Sequence, residues 1–196
     1  MSEDLRVVPL PPSEWDETLR HIVDDMNGEP LNVHALMAHH PKLLEAWWNF
    51  RNYSVQGGDL GRRKGELVIL RTAVHLKAWY EWASHVERAM ACGIAADEIE
   101  RVKHGARAPG WEESEALLIE AVDALVTERA LSPGLQARLR EHYSVRQVMD
   151  LMAITGMYLI LGFMINTWDL DLDPRIAAKL PDGLTKEGFR SEFPPD

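Results

Sequence analysis

Glu81 and His85 stand four residues apart in the stretch GRRKGELVILRTAVHLKAWYEWASHVERAMACGIAADEIE. That spacing puts two side chains on one face of a helix, here beside Ala78 and Val86 or Ala89. Glu66 heads the apolar run Leu67 to Leu70 on what reads as the preceding helix. A carboxylate in such a place needs a partner. Glu81 and His85 supply one if the two helices pack antiparallel. The chemistry open to this set is acid–base: a carboxyl near another carboxyl in apolar surroundings tends to hold its proton, and a histidine moves protons near neutral pH. Arg71, five positions after Glu66, is a candidate to hold a substrate carboxylate, or to neutralise Glu66 or Glu81. Tyr80 and Trp82 read as packing aromatics and as candidates for substrate contact. The plainer alternative is a structural Glu–His pair on α-helical spacing and a buried Glu66–Arg71 ion pair.

Other chemistries find less support. Glu66, Glu81 and His85 do not form an HExxH or paired Glu-x-x-His set, so no metal is expected. His39-His40 before Pro41 read as a helix end. His34 and His75 read as packing or surface residues, with His75 able to face the same cleft. Ser84 adjoins His85 and on a helix points away from it, against a hydrolase triad. No phosphate-binding glycine motif is present, so no nucleotide cofactor is expected. Gly57-Gly58-Asp59 reads as a break between helices.

The elements that must position these residues are helices. No alternating strand pattern with hairpin turns occurs. Ser13 is expected to cap a first helix, with Glu17 in its first turn. Short or medium helices follow at 32–39 and 42–56, then longer ones at 61–76 and 78–92, the latter stopping at Gly93. Further helices are expected at about 95–104, 111–130 and 133–143, and a long apolar one at 145–168. Beyond Asp169, Pro174, Pro181, Pro194 and Pro195 suggest an irregular tail on the surface. The reading is all-α, seven to nine helices in one domain over 1–196. It has a core motif at about 30–105, a C-terminal block at about 112–170 and a tail at 171–196.

The chain has 196 residues and a formal charge of −10, from 31 acidic and 21 basic residues. It carries no cationic stripe, which excludes nucleic acid as an expected partner. Cys92 is the single cysteine, so neither an intrachain disulfide nor CxxC chemistry is available, and a reducing, cytoplasmic setting is expected. The apolar run 151–165 is short for a bilayer and reads as a core helix, so no membrane partner is expected. Its excess of apolar side chains points to a homo-oligomer.

The segments GELVILRTA, YEWASH and AMACGIAADEIE resemble the carboxymuconolactone decarboxylase family, whose superfamily includes the alkyl hydroperoxidase D-like proteins. The resemblance covers about residues 30–105, and LMAITGMYLILGFMINTWDLDLDP resembles the C-terminal helix of longer members. It implies an alkyl hydroperoxidase D-like helical bundle assembled as a dimer, trimer or hexamer. Glu66 and His85 match the family's Glu and His, while the two cysteine positions of the hydroperoxidase branch fall on Ala78 and Glu81. The resemblance therefore implies the branch without CxxC: a cofactor-independent carboxy-lyase acting on a small carboxylated lactone or a related intermediate of aromatic catabolism. His85 would be the general acid/base, Glu81 its orienting partner or a second acid, and Glu66 the group fixing the pair. Gly65 departs from the family, which often has a basic residue there. A non-catalytic small-molecule-binding or stress-associated member is the alternative, and a thiol peroxidase is disfavoured.

Overall fold

A computed structural model describes residues 6–193. Among these residues there are eleven α-helices and no strand, as the all-α reading expects. The helices are α1 (Arg20–Asp25), α2 (Asn32–Met37), α3 (Pro41–Val55), α4 (Arg62–His75), α5 (Trp79–Ala91), α6 (Ala96–Lys103), α7 (Glu113–Thr127), α8 (Pro133–His142), α9 (Val145–Thr167), α10 (Pro174–Ala177) and α11 (Lys186–Glu192).

Helix α4 is the axis of the bundle, packed against α5, α7, α9 and α6. Its apolar run accounts for this: Leu67, Val68, Ile69, Leu70 and Ala73 are all buried, so the helix is covered on every side. A tight turn at Leu76 and Lys77 folds α5 back onto α4. Lys77 takes a positive φ of 53° there, and the Asn166 side chain of α9 donates to the Leu76 carbonyl at 2.7 Å. A helical hairpin closed at this point sets residue 66 across from residue 85.

Helix α9 is fastened to the start of α4 by Asp150. Tyr53 Oη donates to Asp150 Oδ1 at 2.6 Å, and the Asp59 and Leu60 N–H groups donate to Oδ2 at 2.6 and 3.1 Å. The loop it holds needs its glycines. Gly57 has φ 81°, and a Cβ there would overlap the backbone of Gly61. Gly65 lies against this loop: a Cβ would come 3.2 Å from Gly57 Cα, so the long basic side chain common at this position in the family has little room.

Two expectations need correction. The first helix does not start at Ser13; two 3₁₀ turns, Pro12–Glu14 and Glu17–Leu19, precede α1, and Asp16 is the capping side chain, accepting from the Thr18 N–H at 3.0 Å. Trp15 between the turns is extended (ψ 144°) and its indole N–H donates to the Leu10 carbonyl, which breaks the helix. The tail runs over the surface as expected but is not wholly irregular. It forms α10 and α11, and Phe189 is 2% exposed, stacked on Trp82 with ring centroids 5.6 Å apart. Prolines hid its short apolar pattern, and burial of Ile176 and Phe189 outweighs them. Pro194 and Pro195 lie outside the described residues.

Helix α9 runs for 23 residues, longer than its apolar core. It is long and apolar enough by length and composition to cross a membrane, yet half of that stretch is buried in the bundle. Its outer face leaves Met149 63% and Phe163 60% exposed, with Val145, Met152 and Ile160 on the same stripe.

Candidate active site

The hairpin of α4 and α5 brings Glu66 to His85. His85 Nδ1 and Glu66 Oε2 are 2.7 Å apart, both side chains 4% exposed. A carboxylate can only accept from Nδ1, so that nitrogen carries the hydrogen and Nε2 keeps its lone pair. The Tyr158 ring of α9 packs edge-on to the imidazole at 5.0 Å. Burial pulls the His85 pKa down, and the Glu66 charge opposes this. The net direction is down, which favours neutral imidazole at neutral pH.

Glu81 lies one turn earlier on α5 and is 2% exposed. Neither carboxyl oxygen has a hydrogen-bond partner among the described residues. Burial therefore drives its pKa well above the ordinary 4.5, because an unsolvated charge is costly. Gly162 of α9 makes room beside it; a Cβ there would overlap Leu76 and sit 3.5 Å from Glu81 Oε2. The site thus pairs an acid that keeps its proton with a base that lacks one. Opposed shifts of this kind mark acid/base assignments.

Glu81 and His85 both line a narrow cavity of about 30 Å³ that opens outward to solvent. Helix α5 contributes Ser84 and Arg88 as well, at one-turn spacing from Glu81 and His85. Trp47 and Arg51 come from α3, His34 from α2, and Met157, Leu161 and Ile165 from α9. Ser84 thus shares the cavity with His85 rather than pointing away, since 81, 84, 85 and 88 form one broad helical face. Buried polar atoms without partners gather here: His34 Nδ1, Trp47 Nε1 and Ser84 Oγ, besides Glu81.

The other sequence candidates sit elsewhere or are already engaged. Arg71 does not line the cavity; its Nε donates to Asp123 Oδ1 at 2.5 Å and its Nη1 to the Val102 and Lys103 carbonyls, so it closes the end of α6. His75 joins the same Asp123 at 2.7 Å and does not face the cleft. Trp82 belongs to a second core cluster with Phe189. Tyr80 borders the cavity, but its hydroxyl donates to Asp173 Oδ2 at 2.5 Å and accepts from the Val33 N–H, which ties α2 to α5. His39 and His40 are turn residues: His40 accepts from the Leu43 N–H at the start of α3. Among the described residues no three His, Cys, Asp or Glu side chains gather as a metal site. Cys92 does not line the cavity.

Arg51 and Arg88 are residues the sequence reading passed over, and His34, read as a packing or surface residue, also lines the cavity. Arg88 had a usable signal, being three residues after His85 on the same face. Arg51 had a weaker one, a cation on the otherwise apolar Trp47–Val55 stripe of α3. His34 had none, because only the docking of α2 brings it in.

Residues 41–124 match the carboxymuconolactone decarboxylase family. A comparison with curated protein sequences returned no match. Among solved structures, an uncharacterised peroxidase-related protein with an alkylhydroperoxidase AhpD core from Ralstonia eutropha JMP134 superposes with a TM-score of 0.74 at 17% identity, covering 89% of this chain and 96% of that one. A single-residue variant of the debrominase Bmp8 in complex with 2,3,4-tribromopyrrole superposes with a TM-score of 0.70 at 17% identity, covering 90% and 96%. A peroxidase-related protein from Silicibacter sp. TM1040 gives 0.74 at 13% identity, covering 89% and 95%. Residues from α3 to α7 thus match the carboxymuconolactone decarboxylase family, and the bundle as a whole shares its fold with alkylhydroperoxidase AhpD-core proteins.

Proposed function

We propose that this protein is a cofactor-independent acid–base lyase acting on a small carboxylated lactone or a related intermediate of aromatic catabolism. The observation that carries the reading is the buried Glu66–His85 pair, with His85 and a buried, partnerless Glu81 lining one cavity. In such a reaction the carbon–carboxylate bond breaks and CO₂ leaves. Its electron pair passes into the carbonyl-conjugated carbon framework, and a proton is returned to carbon. Glu81, neutral and inside the cavity, is the proton donor. His85 is the base where a proton must first be removed, and Glu66 orients the ring and stabilises the imidazolium that forms. The apolar wall from α9 excludes water and strengthens these interactions. Thiol chemistry has no support at this cavity, since the single cysteine lies outside it.

The test is incubation with carboxymuconolactone-type substrates, reading substrate absorbance and released CO₂ in parallel. Expected is one CO₂ per substrate consumed, with turnover lost in Glu81→Gln. Absence of conversion across the carboxylated lactones would remove the lyase reading and favour a binding role. Stability provides the folding control. Glu81 has a folded-state pKa above its unfolded one, so its contribution is present below about pH 4.5 and is lost as pH rises. Glu81→Gln should therefore melt higher than the parent at pH 8 and close to it at pH 4.

We also propose that the chain associates with copies of itself through the outer face of α9. Val145, Met149 and Met152 follow steps of four and three residues, and Ile160 and Phe163 resume the same stripe about two turns on, the spacing at which paired helices meet. Phe163→Asp is expected to halve or further reduce the mass measured by light scattering; a parent that is already monomeric would exclude the proposal.

A further inference from the structure

We propose that Arg51 and Arg88 form a carboxylate clamp at the cavity, so that the ligand is a small ring or chain acid held by its anionic end. The inference deepens the lyase reading and rests on it for the identity of the substrate; the binding it asserts stands on geometry alone.

Both arginines line the cavity, one from α3 and one from α5. Both are half-buried. Arg88 has no hydrogen bond or ion pair with any described residue, and Arg51 donates only to the neighbouring Asn52 side chain at 2.9 Å while stacking over Trp48. The other half-buried arginines, Arg63, Arg71 and Arg101, each reach an Asp or Glu, and the arginines without such a partner elsewhere are exposed. Two cations drawn partly out of water without a counter-ion are costly. A bound carboxylate removes that cost and matches the guanidinium fork.

The rest of the cavity fits an anion too. Trp47 Nε1 can only donate, the Ser84 hydroxyl can donate, and both are buried without a partner. The far wall is apolar, with Met157, Leu161 and Ile165, suited to the body of a small organic acid. Arg51 also borders an outer, polar recess together with Asn27, Asn52, Arg175 and Asp25. Asp25 there is engaged by the Trp48 indole N–H at 3.0 Å. Arg51 therefore stands between an open vestibule and the inner cavity, where it can meet an entering anion first. Burial, and after it the Arg88 charge, lowers the pKa of Arg51, in keeping with two cations that line one cavity.

The probe is benzoate against its neutral isostere benzamide, by titration calorimetry at pH 7. Benzoate is expected to bind at least tenfold more tightly than benzamide. Arg88→Met and Arg51→Met should each weaken benzoate tenfold or more and leave benzamide unchanged, while Arg71→Met should leave both unchanged. Arg88→Lys keeps the charge and should recover part of the binding, which separates loss of the cation from loss of fold. His85→Gln should retain benzoate binding even with turnover gone, so failure of the clamp and failure of the lyase reading are distinct results. Equal affinity for benzoate and benzamide, no binding of either, or indifference to both arginine substitutions would overturn the clamp.

Discussion

His85→Gln should lower turnover of an accepted substrate by about 10²- to 10⁴-fold, the usual worth of a positioned acid–base group. Glu66→Gln should cost about 10²-fold or more, although the amide can still reach Nδ1. It accepts through a neutral oxygen and cannot stabilise an imidazolium. The pH profile identifies the roles. His85 must be neutral, and its pKa is lowered from 6.5 mainly by burial, so the acid limb should fall below about pH 6.5. Glu81 must be protonated, and its raised pKa places the alkaline limb where that proton is lost. Glu66→Gln removes the charge that favours imidazolium, so it should move the acid limb to still lower pH. An acid limb that stays in place would show that Glu66 does not govern the histidine. Turnover unchanged in His85→Gln would dismiss the acid–base site itself.

The second large effect is on stability. Asp150→Ala strips the acceptor from the Tyr53 hydroxyl and from two backbone N–H groups at the entrance to α4. Of these donors the Leu60 N–H is buried while Tyr53 is half exposed, and leaving a buried donor without an acceptor costs roughly 1–3 kcal/mol, so a loss of roughly 2 kcal/mol is expected. For a domain of this size that is a fall of roughly 4–8 °C in melting temperature. The neighbouring Arg146–Asp59 contact lies on the surface, and Arg146→Ala should change the melting temperature little. Calorimetric scans of the two variants side by side decide it. An Asp150→Ala protein that melts within about 2 °C of the parent would mean the loop is held by other contacts.

Much of this protein is local and therefore readable along the chain. Helix-period apolar spacing marks α3 to α9, and Pro41, Gly93, Ser132 and Ser144 punctuate them, because caps and breakers act within one turn of their own position. Ser144, for example, accepts from the Gln147 N–H at 3.3 Å as its place before the apolar run predicts. The grouping of Glu66, Glu81 and His85 was also legible, since a one-turn spacing and a helical hairpin are properties of neighbouring segments. Which carboxylate meets the histidine was not: Glu66 takes Nδ1, and Glu81 is left without a partner. That depends on the lateral docking of α4 against α5.

Longer-range choices belong to the tertiary structure alone. Arg71 looked free to bind a carboxylate, yet α6 and α7 supply it with acceptors; Arg51 and Arg88 had no role in the sequence reading, yet α3 and α5 leave them facing a cavity. Tyr80 spends its hydroxyl on Asp173, 93 residues away. Phe189 enters the core from a stretch whose prolines argued for a loop. The physical reason is common to all four. A side chain's charge and hydrogen bonding are satisfied by whatever packs over it, and packing is decided by apolar burial summed over the whole chain. Sequence by itself determined which residue types and helix faces were available, and the packed bundle determined which of them remained unsatisfied and thus open to a ligand.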